Sequence, residues 1–523
     1  MPSNDKELYD FADRRQFLQL GAAAGTLSVA ALLGCAKSPQ PIATTGPHMD
    51  KITYFSQFGI DTALIGATLG AALAKGGDRA DVFVQHKVTR SLALEDGAVN
   101  RAFSGVELGA GVRVVKGDQT GYGYTEDLTA AGLRAAALTA ATIADGPSRP
   151  GPTTFHLLAD VPARYRLGKS WADVQPTDLL PILMGLHDQA LRADPRIQKV
   201  SCGMSSEHGA MLLADSLGRI VEDLQPMTTL YLSCTAEHKG QRESNGYNVA
   251  GRNDVTFYSE ERLKRVVDQA VGRTLILFDA VAAPAGEMPV VMAAGSSGIL
   301  LHEAIGHGME ADFNRKGTSI YATKLGKPVA KPFVNIVDDG TIHSARGAIN
   351  VDDEGNVAGM THLVHDGVLT TYLHDSISAK HYGVAPTGNG RRESYKYAPM
   401  PRMRATYMLP GPHKKDEIIA SVKKGIYCQN FSNGQVRIGG GDFTFYVKNG
   451  WLIEDGKLTR PIKDVNVIGN GPKVLEAIDM VSDDLHIDEG GWTCGKNGQS
   501  VPVSQGMPTV RVAQLTVGGA KKS

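Results

Sequence analysis

This 523-residue chain has few cysteines, few aromatic residues and no long run of one charge. Five cysteines are too few for a disulfide scaffold of this size. Aromatic residues make up only 6% whereas glycines number 60, which favours many turns and short strands over a helical bundle. A formal net charge of -1, without a basic cluster, gives no indication of a nucleic-acid partner. The sequence is typical of a globular protein with more than one core.

The first fifty residues resemble an export signal followed by a linker. Arg14 and Arg15 precede an apolar stretch that ends near Leu33, as in a twin-arginine signal. That stretch is short and glycine-rich, whereas a membrane span needs about 20 strongly apolar residues. It ends in a segment that resembles a lipoprotein box, with Cys35 as the lipid attachment site. The alternatives are the basic flank of an ordinary N-terminal anchor and an unmodified Cys35.

These features predict a twin-arginine signal over residues 1–35 and a flexible tether over 36–50. The mature protein is then a periplasmic or cell-envelope lipoprotein of a bacterium, attached to a membrane only through its lipid anchor.

The hydrophobic pattern changes near residue 285. Before it, helical periodicity at 60–75, 128–144, 179–192 and 260–277 alternates with strand-like segments at 80–85, 90–95 and 200–235. After it, short strands broken by Gly, Asn, Asp and Pro dominate, with one clear helix around two histidines. We therefore predict an α+β protein with an N-terminal α/β domain over 51–285 and a second domain over 286–523.

Two histidines and a glutamate lie on that helix. In the usual zinc peptidase helix the histidines are four residues apart, but His302 and His307 are five apart. At about 100° per residue, a regular helix would point these imidazoles away from each other. A single π-type turn would bring them together, and Gly306 offers the backbone freedom either for that turn or for an early end of the helix. We predict a distorted helix, with Glu303 beside the metal as the general base.

A third ligand has to come from elsewhere in the chain. The candidates are Cys428, Cys494 and the carboxylates of Glu310 and Asp312. Cys494 lies in a glycine-rich, irregular segment where a buried structural thiol would be unusual, whereas Cys428 is typical of an apolar strand. Mixed nitrogen and sulfur donors favour Zn²⁺, one ion per chain.

Several segments resemble the TldD/PmbA peptidase family. They include 302–315, 383–394 and 494–503, and the resemblance extends from about residue 60 to 520. It is closer to the TldD branch than to the PmbA (TldE) branch, whose members lack the histidine motif. The resemblance implies that His302, His307 and Cys494 hold zinc. It also implies a C-terminal domain rich in antiparallel strands that carries the metal-binding helix.

The resemblance further implies a dimer that encloses the active site, either a homodimer or a heterodimer with a TldE-like paralogue. Unfolded peptide substrates would bind as an added strand. Four residues of family-like segments are candidate substrate contacts: His374, His381, Arg391 and Arg392.

The predicted function is zinc-dependent hydrolysis of peptide bonds in unfolded peptides or protein segments, with water activated by Glu303. Two alternatives stay open: a catalytically silent subunit that binds peptides or a partner, and a zinc hydrolase of a non-peptide amide. The intact histidine motif argues against the silent subunit, because binding alone gives no reason to keep a base beside a metal.

Overall fold

A computed structural model describes residues 54–165, 167–437 and 440–518. The predicted signal, the tether and Cys35 lie outside these residues. Among the helices described, none is long and apolar enough to cross a membrane.

The first part of the chain forms one sheet with unusually long strands. The strand order is β3-β2-β1-β5-β6-β4, with β7 also paired to β6, and every pairing except β4 with β6 is antiparallel. The strands are β1 (Arg79–Glu95), β2 (Ala98–Lys116), β3 (Gln119–Thr125), β4 (His156–Leu157), β5 (Ile197–Asp215), β6 (Arg219–His238) and β7 (Gln241–Gly251).

The sequence predicted two separate strands at 80–85 and 90–95, and this was wrong. Residues 86–89 between them continue β1, because they pair without interruption with β2 on one side and β5 on the other. Their side chains are only half-buried, so the hydrophobic pattern fades there although the ladder does not.

Four helices cover this sheet, at the places where the periodicity predicted them. They are α1 (Thr62–Ala72), α2 (Ala130–Ala141), α3 (Pro176–Ala193) and α4 (Glu260–Leu275). Side chains of Asp61, Thr129 and Ser259 accept hydrogen bonds from backbone N–H groups of the first turns and so fix where three of them begin. Helices α1 and α2 share one core with the sheet, and α3 and α4 share another.

The second part of the chain forms an eight-stranded and a six-stranded sheet. Their orders are β16-β9-β25-β19-β17-β18-β8, with β20 beside β25, and β12-β11-β10-β15-β24-β21. The strands are β8 (Val281–Ala282), β9 (Gly286–Met292), β10 (Ile336–Asp339), β11 (Met360–His365), β12 (Val368–Leu369), β13 (Gly390–Arg391), β14 (Met400–Pro401), β15 (Ala405–Met408), β16 (Lys424–Arg437), β17 (Asp442–Glu454), β18 (Lys457–Lys463), β19 (Val465–Asn470), β20 (Ile478–Val481), β21 (His486–Ile487), β22 (Thr493–Lys496), β23 (Gln499–Pro502), β24 (Ser504–Met507) and β25 (Val510–Gly518).

Most pairings in this part are antiparallel, and the mixed α+β class is confirmed. The helices are short: a π-helix (Leu300–Gly306), α5 (Ala311–Arg315), α6 (Ser376–Tyr382), α7 (Lys415–Ala420) and α8 (Gly471–Ala477). The π-helix lies in the same hydrophobic core as Cys494. The packing of the second part therefore already brings the two predicted metal-binding segments together.

Buried ion pairs connect the two parts of the chain. Arg113 of β2 donates through Nε to Asp81 of β1 and through Nη1 to Glu354 of the second part, each at 2.7 Å. All three side chains are buried. Breaking such a pair would leave a buried charge without compensation, so this contact fixes the first sheet against the second part of the chain.

Candidate metal centre

The π-helix brings the two histidines together. The His307 N–H donates to the carbonyl of His302, five residues earlier, which is the hydrogen-bond pattern of a π-helix. The two imidazole rings lie 5.1 Å apart between centroids. The distortion predicted from the five-residue spacing is therefore confirmed, and both rings are buried.

Gly306 serves this helix in a different way from the one predicted. Its φ of -60° and ψ of -48° are ordinary helical values, so no unusual backbone conformation requires glycine here. A Cβ at this position would lie 2.1 Å from Sδ of Met403. Gly306 is needed for space, because the helix packs tightly against the buried Met403 side chain.

Cys494 reaches the histidines from a short hairpin. The sequence suggested an irregular segment, but β22 and β23 pair there, with Cys494 opposite Val501. Alternate residues of β22 are buried, and Cys494 is among them. Its Sγ lies 3.5 Å from Nε2 of His307, and ligand atoms of His302, His307 and Cys494 all lie within 4.8 Å of one another.

Cys428, the other sulfur candidate, lies elsewhere. It is fully buried in β16, as predicted for an apolar strand residue, and burial alone raises its pKa. It belongs to the hydrophobic core rather than to the cluster of donors.

The electrostatics of the cluster suit a metal ion. Burial would raise the pKa of the Cys494 thiol, but the charges of His307 and His302 hold it well below its usual value. Neither ring nitrogen of His302 has a hydrogen-bond partner in the described part of the chain, although both are buried. Buried imidazole nitrogens without partners are costly, and a metal ion would satisfy one of them. Two imidazoles and a thiolate fit zinc.

Glu310 and Asp312, the carboxylate alternatives, lie beside the three converging donor residues and are not part of that cluster. Oε2 of Glu310 contacts Nδ1 of His307 at 3.0 Å and Nζ of Lys496 at 3.1 Å, while Oδ1 of Asp312 accepts from the same Nζ at 2.8 Å. Burial would raise the pKa of Glu310, but Lys496 and His307 lower it to about 2. An ionised Glu310 therefore orients the His307 ring, leaving Nε2 to face Cys494.

Lys496 and Arg402 were missed by sequence reasoning. Arg402 is fully buried, and its Nη2 donates at 2.5 Å to the carbonyl of Cys494, which anchors the hairpin. The position of Lys496 two residues after Cys494, on the same face of β22, was a usable signal. Arg402 lies 92 positions before Cys494, so its spacing gave no signal of this contact.

Glu303, the predicted general base, lies on the π-helix next to His302. It is half-buried, whereas His302 and His307 are each only 3% exposed. Glu303 is thus the one residue of Leu300–Gly306 that is not fully buried.

The four predicted substrate contacts have different surroundings. His374 is buried between Tyr372 and Tyr382, and burial lowers its pKa to about 4, so it is neutral near pH 7. His381 is exposed at the end of α6. Within the described part of the chain, neither histidine contacts the donor cluster, and their role stays a prediction.

Arg391 and Arg392 are both buried between the two parts of the chain. Arg391 donates to the carbonyls of Met403 and Pro502, at 2.5 and 2.8 Å. Arg392 donates to the carbonyl of Asp353 at 2.8 Å and to the hydroxyl of Tyr122 at 3.1 Å. These contacts are structural, although both residues also line a cavity beside the Cys494 hairpin.

Two histidines and a cysteine with converging donor atoms, and a half-buried glutamate on the same helix, are the residue types found in the metal centre of a zinc hydrolase. Family models agree with this class: the PmbA/TldA metallopeptidase C-terminal domain matches residues 285–519, domain 1 matches 80–144, and the central domain matches 169–278.

Individual relatives agree as well. A protein from Haemophilus influenzae named Metalloprotease TldD homolog is 40% identical over 455 residues, covering 84% of this chain and 93% of that protein. A Zinc metalloprotease TldD homolog from Saccharolobus solfataricus is 35% identical over 257 residues, covering 49% of this chain and 55% of that protein. TldE from Thermococcus kodakarensis shares the fold, with a TM-score of 0.66 at 18% identity over 85% of this chain and 97% of that one.

The chain belongs to the PmbA/TldA metallopeptidase family, the TldD/PmbA family that its motifs resemble, and it is a metallopeptidase.

Proposed function

We propose that this protein is a zinc-dependent peptidase that hydrolyses peptide bonds in unfolded peptides or protein segments. The convergence of His302, His307 and Cys494, with Glu303 on the same helix, carries the proposal. The zinc assignment is supported by the two-nitrogen, one-sulfur donor set and by the name of the Saccharolobus solfataricus relative.

The residues of the chain have separate tasks in this proposal. His302, His307 and Cys494 hold one zinc ion, which when bound polarises the scissile carbonyl and lowers the pKa of a water molecule. The Glu303 carboxylate accepts the proton of the attacking water and then donates it to the departing amine. Glu310 and Lys496 keep the His307 ring in place while this happens.

Burial of the donors supports the choice of unfolded substrates. His302 and His307 are 3% exposed and Cys494 is 1% exposed, so the surface of a folded protein could not reach them. An extended peptide is thin enough to approach Glu303, and main-chain hydrogen bonds to a strand would hold it with little dependence on its sequence.

The test is cleavage of an unstructured peptide mixture by zinc-loaded protein, beside a Glu303→Gln variant shown to bind equal zinc. We expect the variant to be about 10²- to 10⁴-fold slower, the usual contribution of a general base. Glu287→Gln, at an exposed glutamate of β9, is the control and should cleave normally.

Equal cleavage by the Glu303→Gln variant would refute the role of Glu303. If zinc-loaded wild-type protein left every peptide intact but hydrolysed small non-peptide amides, the alternative of a non-peptide amide hydrolase would replace the proposal. If it hydrolysed neither substrate but bound peptides, the chain would be a silent binding subunit.

Location and assembly are part of the proposal. We propose export by the twin-arginine route and attachment to the cell envelope through a lipid on Cys35, and a dimer formed with a second copy or with a TldE-like paralogue. Unchanged membrane association of a Cys35→Ala variant would refute the anchor. A monomeric mass in light scattering, with and without co-expressed paralogue, would refute the dimer.

A further inference from the structure

A cavity of about 280 Å³ lies between the first sheet and the Cys494 hairpin. Arg252, directly after β7, lines it from one side, and Arg346, Arg391 and the hairpin residues Thr493 and Pro502 line it from the other. Among the described residues that line it, none belongs to the π-helix. The cavity is therefore distinct from the metal centre, although it adjoins the same hairpin.

Three arginines of this cavity, Arg252, Arg346 and Arg391, have no carboxylate partner at ion-pair distance among the described residues. Arg252 donates to the carbonyl of Pro226 at 3.3 Å, and its buried Nε has no partner in the described chain. Arg346 donates through Nε to the carbonyl of Trp492 at 2.8 Å. Arg391 donates to two backbone carbonyls. Arg252 and Arg391 are only 3% and 4% exposed. Guanidinium groups in such surroundings lack a compensating anion.

The acidic residues of the cavity are engaged elsewhere. Glu207 pairs with Lys87 at 3.8 Å, Asp353 accepts the backbone N–H of Arg392 at 2.7 Å, and Glu393 accepts that of Ser500 at 2.5 Å. They offset the arginine charges from a distance without forming a pair with them.

The arginines lie close enough to influence one another. Burial and then the charge of Arg252 lower the pKa of Arg391 to about 9, although Asp353 acts in the opposite direction. Burial likewise lowers the pKa of Arg346 to about 10, against the charge of Glu207 and with that of Arg252. An anion placed between these groups would relieve both the burial penalty and the repulsion.

We propose that this cavity is an anion-binding site that takes the C-terminal carboxylate of a short peptide. The planar guanidinium fork matches a carboxylate with two parallel hydrogen bonds, and the small volume admits a chain end rather than a folded surface. The choice of a peptide carboxylate rests on the proposed function, because each peptide hydrolysis creates a new C-terminal carboxylate.

The site also adjoins a metal-binding segment. Thr493 and Pro502, which line the cavity, form the hairpin pair next to Cys494 and Val501. Arg346 anchors this end of the hairpin, because it donates to the Trp492 carbonyl at 2.8 Å and to the Thr493 hydroxyl at 3.3 Å. A carboxylate bound by Arg346 would thus lie beside the residue that precedes Cys494.

Calorimetric titration of the full chain carrying Glu303→Gln tests the proposal, because this variant would leave the peptide uncleaved. The probes are acetyl-trialanine with a free C-terminus and its C-terminal amide. We expect the free carboxylate to bind about tenfold or more tightly, the effect of one charge-assisted contact. Arg252→Gln or Arg346→Gln, added to that chain, should abolish the preference.

Arg90→Gln is the control matched to Arg252→Gln, since Arg90 likewise donates to backbone carbonyls, those of Trp171, Ala172 and Val174, but does not line the cavity. It should keep the preference, and thermal melting should show that each variant is folded.

Equal affinity for the two peptides, or a preference that survives both cavity variants, would overturn the proposal. So would a preference that Arg90→Gln removes equally. If acetate or inorganic phosphate bound in an Arg252-dependent way while the two peptides bound equally, the site would take a free small anion instead. Because binding is measured without turnover, failure of the proposed peptidase activity would not change this result.

Discussion

Replacing Glu310 by glutamine should weaken zinc binding although Glu310 is not itself a proposed ligand. Its carboxylate contacts Nδ1 of His307 at 3.0 Å and Nζ of Lys496 at 3.1 Å, in a fully buried position. Loss of a carboxylate that orients a metal-binding histidine lowers metal affinity about 10- to 100-fold. That range corresponds to about 1.4–2.8 kcal/mol, in agreement with about 1.5–3 kcal/mol for a hydrogen bond to a charged group.

The assay is competition for zinc against a chromophoric chelator at constant pH, with circular dichroism to show that the variant is folded. Asp312→Asn is the control, because Asp312 shares Lys496 with Glu310 but has no contact with His307 in the described structure. We expect its zinc affinity to change by less than about threefold, because Lys496 keeps Glu310 and the Pro401 carbonyl as partners and His307 keeps its carboxylate. A change of less than about threefold in Glu310→Gln, or an equal loss of zinc affinity in Asp312→Asn, would show that Glu310 does not support zinc binding through His307.

Four further substitutions test the metal centre and the packing of the second part of the chain. Cys494→Ser should lower zinc affinity at least about 100-fold. Cys428→Ser should leave zinc affinity unchanged and lower the unfolding free energy by about 1–3 kcal/mol. Equal loss of zinc in both variants, measured by equilibrium dialysis, would contradict the ligand assignment. Gly306→Ala would press a methyl group onto a buried methionine sulfur and should destabilise the fold by about 1–3 kcal/mol in denaturant titration, and no change would contradict the packing. Arg404→Met removes the buried partner that lies 2.7 Å from Asp338 and should destabilise the fold by about 3–5 kcal/mol in denaturant titration; an unchanged unfolding free energy would contradict the stabilising role of this pair.

The sequence predicted the metal helix well because its signal is local. The five-residue interval between His302 and His307 is incompatible with shared binding on a regular helix, so the π-helix follows from the spacing once a common role is assumed. The reason for Gly306 could not be predicted, since it depends on Met403, almost a hundred positions later.

The supporting groups of the site could not be predicted from the sequence, because they too depend on contacts between residues far apart in the chain. Arg402 contacts the Cys494 carbonyl, and Arg346 contacts the residues just before it, over separations of 92 and about 146 positions. Glu310 and Asp312 were recognised as acidic neighbours, but their place around Lys496 rather than at the donors depends on how the hairpin packs. Tertiary packing, not local pattern, decides which carboxylate faces a metal.

The strand boundaries illustrate a related limit. Burial alternates clearly only where a sheet has one covered face, and the middle of β1 is half-buried throughout. Pairing on both sides keeps that segment extended without a hydrophobic signal.

The zinc ligands proposed for this protein are two histidines and one cysteine, and X-ray absorption at the zinc edge of the zinc-loaded protein measures these donors. We expect two imidazole nitrogens at about 2.0–2.1 Å and one sulfur at about 2.3 Å, and loss of the sulfur contribution in Cys494→Ser. A first shell of nitrogen and oxygen only, or a sulfur signal that persists in Cys494→Ser, would contradict this ligand set.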